Sequence, residues 1–149
     1  MRFAIDSNII VYAEGLNDVR RYEIARQLML GLEGLPTIIP AQALGEALNV
    51  MIRKGKIERT LAVNMVEPWR KIYTIQATTP EILEVAFEIV KRHAFSVWDA
   101  IILSAASMAN AETLFSEDMQ NGFVWKTTTI INPFLPFPAA IVRTLLNPN

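Results

Sequence analysis

Four carboxylates fall where strands are expected to end and helices to begin: Asp6, Glu46, Asp99 and Asp118. The chain has only four aspartates, and three of them belong to this set. Gathered at one point, four carboxylates repel one another and need a cation. The only donors on offer are oxygens, because there is no cysteine and the single histidine is His93. Oxygen donors suit Mg²⁺ or Mn²⁺ rather than Zn²⁺ or copper. An acidic site holding such an ion serves phosphoryl chemistry, in which the ion activates water and steadies the leaving oxygen.

Each acid has a plainer role when taken alone. Asp99 stands three residues after Ser96 and fits a capping box at the start of a helix. Glu46 fits a solvated helix residue. Asp118, in SEDMQNG, fits a turn with Asn121-Gly122. Asp6 fits the cap of the next helix. Their joint placement is what favours a common site. Asp6 ends the first expected strand, and Asp118 follows another by two residues. Glu46 and Asp99 lie in the first turns of helices. In an open parallel sheet these positions share one edge, where ligands bind.

The elements that place them follow from hydrophobic spacing. RFAID (2–6) reads as a buried strand, with Asn8 capping the helix IIVYAE that follows. A helix is expected over 22–32, with Gly31 and Gly34 near its stop. Strand 37–39 closes at Pro40. Helix 41–54 carries Leu44, Leu48 and Met51/Ile52 on one face and ends in basic residues and Gly55. Further helices are expected over 58–71, weakened by Pro68, and over 80–93 and 96–109. Strands are expected at 72–75, 113–116 and 128–131. This alternation means a parallel sheet covered by helices on both faces. Residues 1–149 read as one domain with a Pro-rich, briefly helical tail over 132–149.

Composition sets the remaining bounds. The chain has 149 residues, 52% hydrophobic, enough for a real core. No apolar run reaches the ~18 residues that span a bilayer. Asp6 interrupts the first apolar run too early for a signal peptide. A soluble cytoplasmic protein is the simplest expectation. The net charge is −1. If four of the fifteen acids surround a cation, fourteen bases face eleven acids, so bulk charge neither favours nor opposes a nucleic-acid partner.

The segments IDSNIIVYA, AQALGEALNV, SVWDAIILSAA and LFSEDMQNG, followed by INPF, resemble a PIN-domain protein over residues 1–134. The likeness is greatest to VapC-type toxins of bacterial toxin–antitoxin pairs. The resemblance implies a PIN-like three-layer α/β/α fold with a central, mostly parallel, four- to five-stranded sheet. It implies an endoribonuclease dependent on Mg²⁺ or Mn²⁺, forming a homodimer, with a small antitoxin protein as partner and RNA as substrate. Asp6, Glu46, Asp99 and Asp118 match the family's four acids. Asn8 and Ser116 match its supporting polar residues. Glu117 is adjacent to Asp118, but S-x-D favours Asp118 as ligand.

Other features carry weaker readings. Arg53-Lys54-Gly55-Lys56 with Arg59 is the densest basic cluster and fits either RNA phosphates or a favourable helix end. Arg20 and Arg21 are similar. Trp98 is expected in the core or a dimer interface, Trp125 near substrate, and His93 on the apolar side of its helix. Tyr12, Leu28, Met29 and Leu32 fit the core or a partner surface. The competing functions are a PIN nuclease in RNA processing without a toxin role, a non-catalytic PIN-fold binding module, and a phosphatase using Asp6 as nucleophile. The last needs D-x-D, whereas the chain has Asp6-Ser7-Asn8.

Overall fold

The segments FAI, TIIP and TLF are short, apolar and buried at every residue, so each strand needs cover on both faces. In the computed structural model, which describes residues 1–147, they form the centre of a covered sheet. The first half of the chain runs β1 (Phe3–Ile5), α1 (Ser7–Ala13), α2 (Val19–Gly31), β2 (Thr37–Pro40), α3 (Ala41–Arg53), α4 (Arg59–Ile72) and β3 (Thr74–Gln76). It continues α5 (Pro80–Arg92), α6 (Val97–Met108), β4 (Thr113–Phe115), β5 (Val124–Trp125), β6 (Thr128–Ile131) and α7 (Ala140–Leu146). The expected tail over 132–149 therefore contains a helix, and its last two residues lie outside the described ones.

The sheet order is β3-β2-β1-β4-β6-β5, parallel except for the β5–β6 pair. Six strands replace the expected four or five. The extra strand is β5, two residues paired antiparallel with the start of β6. Two residues show no periodicity, which is why the segment read as loop. β1 lies between β2 and β4, so the winding reverses there and a crevice opens beyond the strand ends. Register sets Ile5 opposite Phe115 and Phe115 opposite Ile131. Asp6 and Ser116 thus leave neighbouring strands side by side.

Helices cover both faces. α1 packs on α2 and α3, α5 pairs with α6, and α2 carries α7. Ala100 through Ser107 are all buried, which makes α6 the central helix. Ser104 satisfies its buried hydroxyl by donating to Ile82 O at 2.8 Å. Leu28, Met29 and Leu32 are core residues. α4 runs continuously through Pro68 to Ile72, as the expected 58–71 helix does. Among the described residues no helix is long and apolar enough to cross a membrane.

Candidate active site

Asp6 begins the site. Its backbone is extended (φ −86°, ψ 169°), and its Oδ1 accepts from the Ser7 N–H at 2.6 Å, so Asp6 caps α1. This corrects the expected cap at Asn8. The acid two residues earlier already occupies the strand–helix corner, and Asn8 falls inside the first turn. Its amide is then free for other work. Asn8 Nδ2 donates to Asp118 Oδ2 at 3.2 Å and lies 3.5 Å from Asp6 Oδ2, while its Oδ1 accepts from the Glu117 N–H at 3.2 Å. Ser116 donates its hydroxyl to Asp6 Oδ2 at 2.7 Å. Asp6 and Ser116 are buried, whereas Asp118 is exposed on the loop after β4.

Glu46 and Asp99 approach from α3 and α6, each partly buried. The Ser96 Oγ accepts from the Asp99 N–H at 3.1 Å and starts α6 with the acid in its first turn. Burial pushes the Asp6 carboxyl up to about 7; the Ser116 and Ser7 hydrogen bonds pull it down, and the charges of Asp99 and Glu46 push it further up. Burial also raises Glu46, opposed by Gln42 and reinforced by Asp99 and Asp118. Asp99 rises through burial and then through Asp118. The four predicted acids therefore sense one another.

None of the four forms an ion pair among the described residues, whose salt bridges all lie elsewhere. Nor, among those residues, do three acidic or histidine side chains already stand close enough to hold an ion. A set of oxygen donors without a compensating cation fits a hard divalent ion in chemistry and charge.

Glu117, the rejected neighbour of Asp118, is engaged elsewhere. Tyr12 donates its hydroxyl to Oε1 at 2.7 Å, and the Arg21 Nε donates to Oε2 at 2.5 Å. Arg21 also pairs with Asp18 and lies over the rings of Tyr12 and Phe134. Phe134 meets Tyr12 edge-on at 5.2 Å. The sequence holds no signal for this clamp, because Glu117 lies 105 positions from Tyr12 and 96 from Arg21.

The aromatic expectations change. Trp98 is 57% exposed rather than in the core. Trp125 is half-buried and pairs with Thr128, at the strand end opposite the acids. Trp69 donates to Glu14 at 2.8 Å and stacks on Tyr73. His93 is the exposed C-cap of α5, with its ring set edge-on to Phe123 and Trp125.

Residues 3–120 match the family model of the PIN domain. No curated protein matches the sequence significantly. Solved structures that share the fold include three toxin or toxin–antitoxin proteins. VapC20 of Mycobacterium tuberculosis, a toxin that cleaves the sarcin–ricin loop, is 18% identical with a TM-score of 0.64, over 78% of this chain and 89% of that one. VapBC2 of Rickettsia felis, bound to a promoter DNA fragment, gives 19% and 0.59 over 79% and 88%. VapBC-1 of nontypeable Haemophilus influenzae gives 17% and 0.56 over 79% and 87%.

Proposed function

The chain belongs to the PIN-domain family, and from that premise we propose that it is a Mg²⁺- or Mn²⁺-dependent endoribonuclease, the toxin of a VapBC-type pair. Residues 1–149 form one PIN domain in this reading. It acts in the cytoplasm as a homodimer held in check by a small antitoxin protein. The toxin role is supported by the names of the structural neighbours, one a sarcin–ricin-loop-cleaving toxin and two VapBC assemblies.

One observation carries the catalytic reading. Asp6 is buried at the winding reversal, with its carboxyl lifted by burial and by the charges of two other acids, and no cation among the described residues offsets them. Such an arrangement is costly for a purely structural role and suited to an ion. Asp6, Glu46, Asp99 and Asp118 would hold Mg²⁺ or Mn²⁺, which when bound supplies an activated water and neutralises charge at the scissile phosphodiester. The protein's own groups do the positioning. Ser7 and Ser116 each occupy one oxygen of Asp6 and fix its plane. Asn8 ties the exposed Asp118 back to α1. Glu46, raised by burial, is suited to orient the attacking water and take its proton.

The test is cleavage of a mixed RNA pool by purified protein with Mg²⁺ or Mn²⁺, against EDTA and Asp6→Asn. Cleavage that needs the ion and vanishes in the variant supports the reading. A folded wild type that binds no Mn²⁺ in a titration and cuts nothing leaves a non-catalytic PIN-fold binding module. Metal-dependent cleavage without growth arrest on expression points instead to RNA processing.

A further inference from the structure

The basic run at the end of α3 and the start of α4 presents four exposed cations, Arg53, Lys54, Lys56 and Arg59. A helix C-terminus favours cations whatever their task, so charge alone separates none of them. Position does. Lys54 lines a recess of about 150 Å³ whose walls include Asn8, Tyr12, Asn17 and Asp118. Arg53, Lys56 and Arg59 do not line it.

The recess is built of fixed parts. Tyr12 is held by its bond to Glu117 and by the Phe134 ring and Arg21 guanidinium packed on it. Asn8 is held between Asp118 and the Glu117 N–H. The Lys54 N–H bonds Val50 O at 2.9 Å. Gly55, the next residue, is pressed so closely that a Cβ would fall 2.6 Å from Leu16 Cδ2 and 2.7 Å from Met51 O. The turn that carries Lys54 is therefore closely packed against Leu16. Among the described residues the Lys54 ammonium makes no ion pair, even with Asp118 on the same recess. An unpaired cation thus stands on the wall of a small polar recess shared with one of the four acids, Asp118.

Pockets that enclose a whole drug-sized ligand have volumes of ~300–1,000 Å³. This recess is smaller and suits one sugar–phosphate unit without its base. We propose that it is a substrate subsite: it takes the sugar–phosphate unit of single-stranded RNA next to the scissile bond, and Lys54 grips the phosphate. The inference rests on the nuclease reading above and adds to it the residue that brings a polyanion to an acidic centre. A phosphate grip positions the strand without reading its bases, so Lys54 acts on every sequence alike.

The test uses full-length Asp6→Asn protein, which leaves RNA uncut. A fluorescein-labelled single-stranded RNA of about twelve nucleotides is titrated by anisotropy over a salt series. Lys54→Ala, Lys54→Arg and Lys56→Ala are compared in the same background. Lys54→Ala is expected to raise Kd about tenfold at low salt, the size of one charge-assisted contact. It also lowers the slope of log K against log salt by about 0.7. Lys54→Arg restores both, and Lys56→Ala shifts Kd by less than about twofold. Equal losses in the two alanine variants make Lys54 one surface charge among several and overturn the subsite, while metal-dependent cleavage by the wild type leaves the nuclease reading intact. A parent that binds no RNA, together with a wild type that cuts none with Mg²⁺ or Mn²⁺, overturns both.

Discussion

Ser116 Oγ lies 2.7 Å from Asp6 Oδ2, joining the ends of adjacent parallel strands across 110 positions of sequence. After burial, this bond is the largest influence on the Asp6 carboxyl, and it opposes the rise. Ser116→Ala removes the donor from a buried site. The Asp6 pKa should climb above about 7, so the acid limb of the cleavage profile should move to higher pH. Stability at neutral pH should fall by about 1–3 kcal/mol. A pH–rate series and a urea melt check both. An acid limb that stays in place would mean that Asp6 takes its state from other groups.

The raised Asp6 carboxyl also predicts how stability follows pH without metal. Its folded value, about 7, exceeds the ordinary value of 3.8. The native state therefore holds a proton that the unfolded chain releases between those values. Stability should fall as pH rises through that window and level off above it, with a limit of roughly 4 kcal/mol from this group. Glu46 and Asp99 shift the same way and add to the slope. Melting in EDTA should give a lower Tm at pH 8 than at pH 5, most of the difference should vanish in Asp6→Asn, and Mg²⁺ should restore the wild type at pH 8. A slope unchanged in Asp6→Asn would place its origin elsewhere.

Asn8 bridges two acids as a neutral donor, which predicts an ordering of variants. Asn8→Ala loses the tie to Asp118. Asn8→Asp loses it and also sets a like charge between Asp6 and Asp118. At pH 8 without metal, Asn8→Asp should melt below Asn8→Ala, and Mg²⁺ should narrow the gap. Differential scanning fluorimetry in both buffers decides. A melting order of alanine below aspartate would remove the bridging role.

Glu117 predicts a separation of roles within one dipeptide. Both its oxygens are occupied by Tyr12 and Arg21, so it steadies the loop while Asp118 faces the other acids. Glu117→Ala should cost about 1–3 kcal/mol of stability and leave Mn²⁺ affinity within about threefold. Asp118→Ala should leave stability nearly unchanged and lower that affinity by an order of magnitude or more. Calorimetric titration of the two variants distinguishes them. Comparable losses of Mn²⁺ affinity would make Glu117 a ligand.

What the sequence disclosed follows the range of the forces involved. FAI and TLF announce doubly covered strands, because burial on both faces leaves no polar alternation. The α5 and α6 ends were found within a residue, because Pro80 and Ser96 are local start signals. Asp6 and Asn8 show the limit of such signals. Both types cap helices, and only the strand end set by β1 pairing decides that Asp6 does. β5 escaped notice because two residues carry no period. The Tyr12–Glu117–Arg21 clamp escaped because nothing local marks contacts between α1, α2 and the β4 loop. The edge rule for parallel sheets points the four acids to one sheet edge, yet it says nothing of Lys54, whose position depends on how α3 ends against Leu16.

Two helical glycines should respond in opposite directions to the same substitution. Alanine favours a helix interior over glycine by about 0.8–1 kcal/mol, so an unconstrained site gains from the change. Gly45, inside α3, is such a site, with no atom within 4 Å of a Cβ. Gly31, at the end of α2, is not. A Cβ there would overlap Leu145 O and fall 2.9 Å from Leu145 C, both backbone atoms of α7. A backbone carbonyl cannot rotate out of the way as a side chain does, so α7 must lift from α2 and expose Leu145 and Val142, which are buried there. Losing part of that apolar contact costs more than the helix preference returns. Gly45→Ala should raise Tm by about 2–4 °C and Gly31→Ala should lower it by at least as much. Thermal melts at one pH and one metal concentration test the pair. A Gly31→Ala protein as stable as the Gly45→Ala one would mean that α7 does not rest on Gly31 in solution.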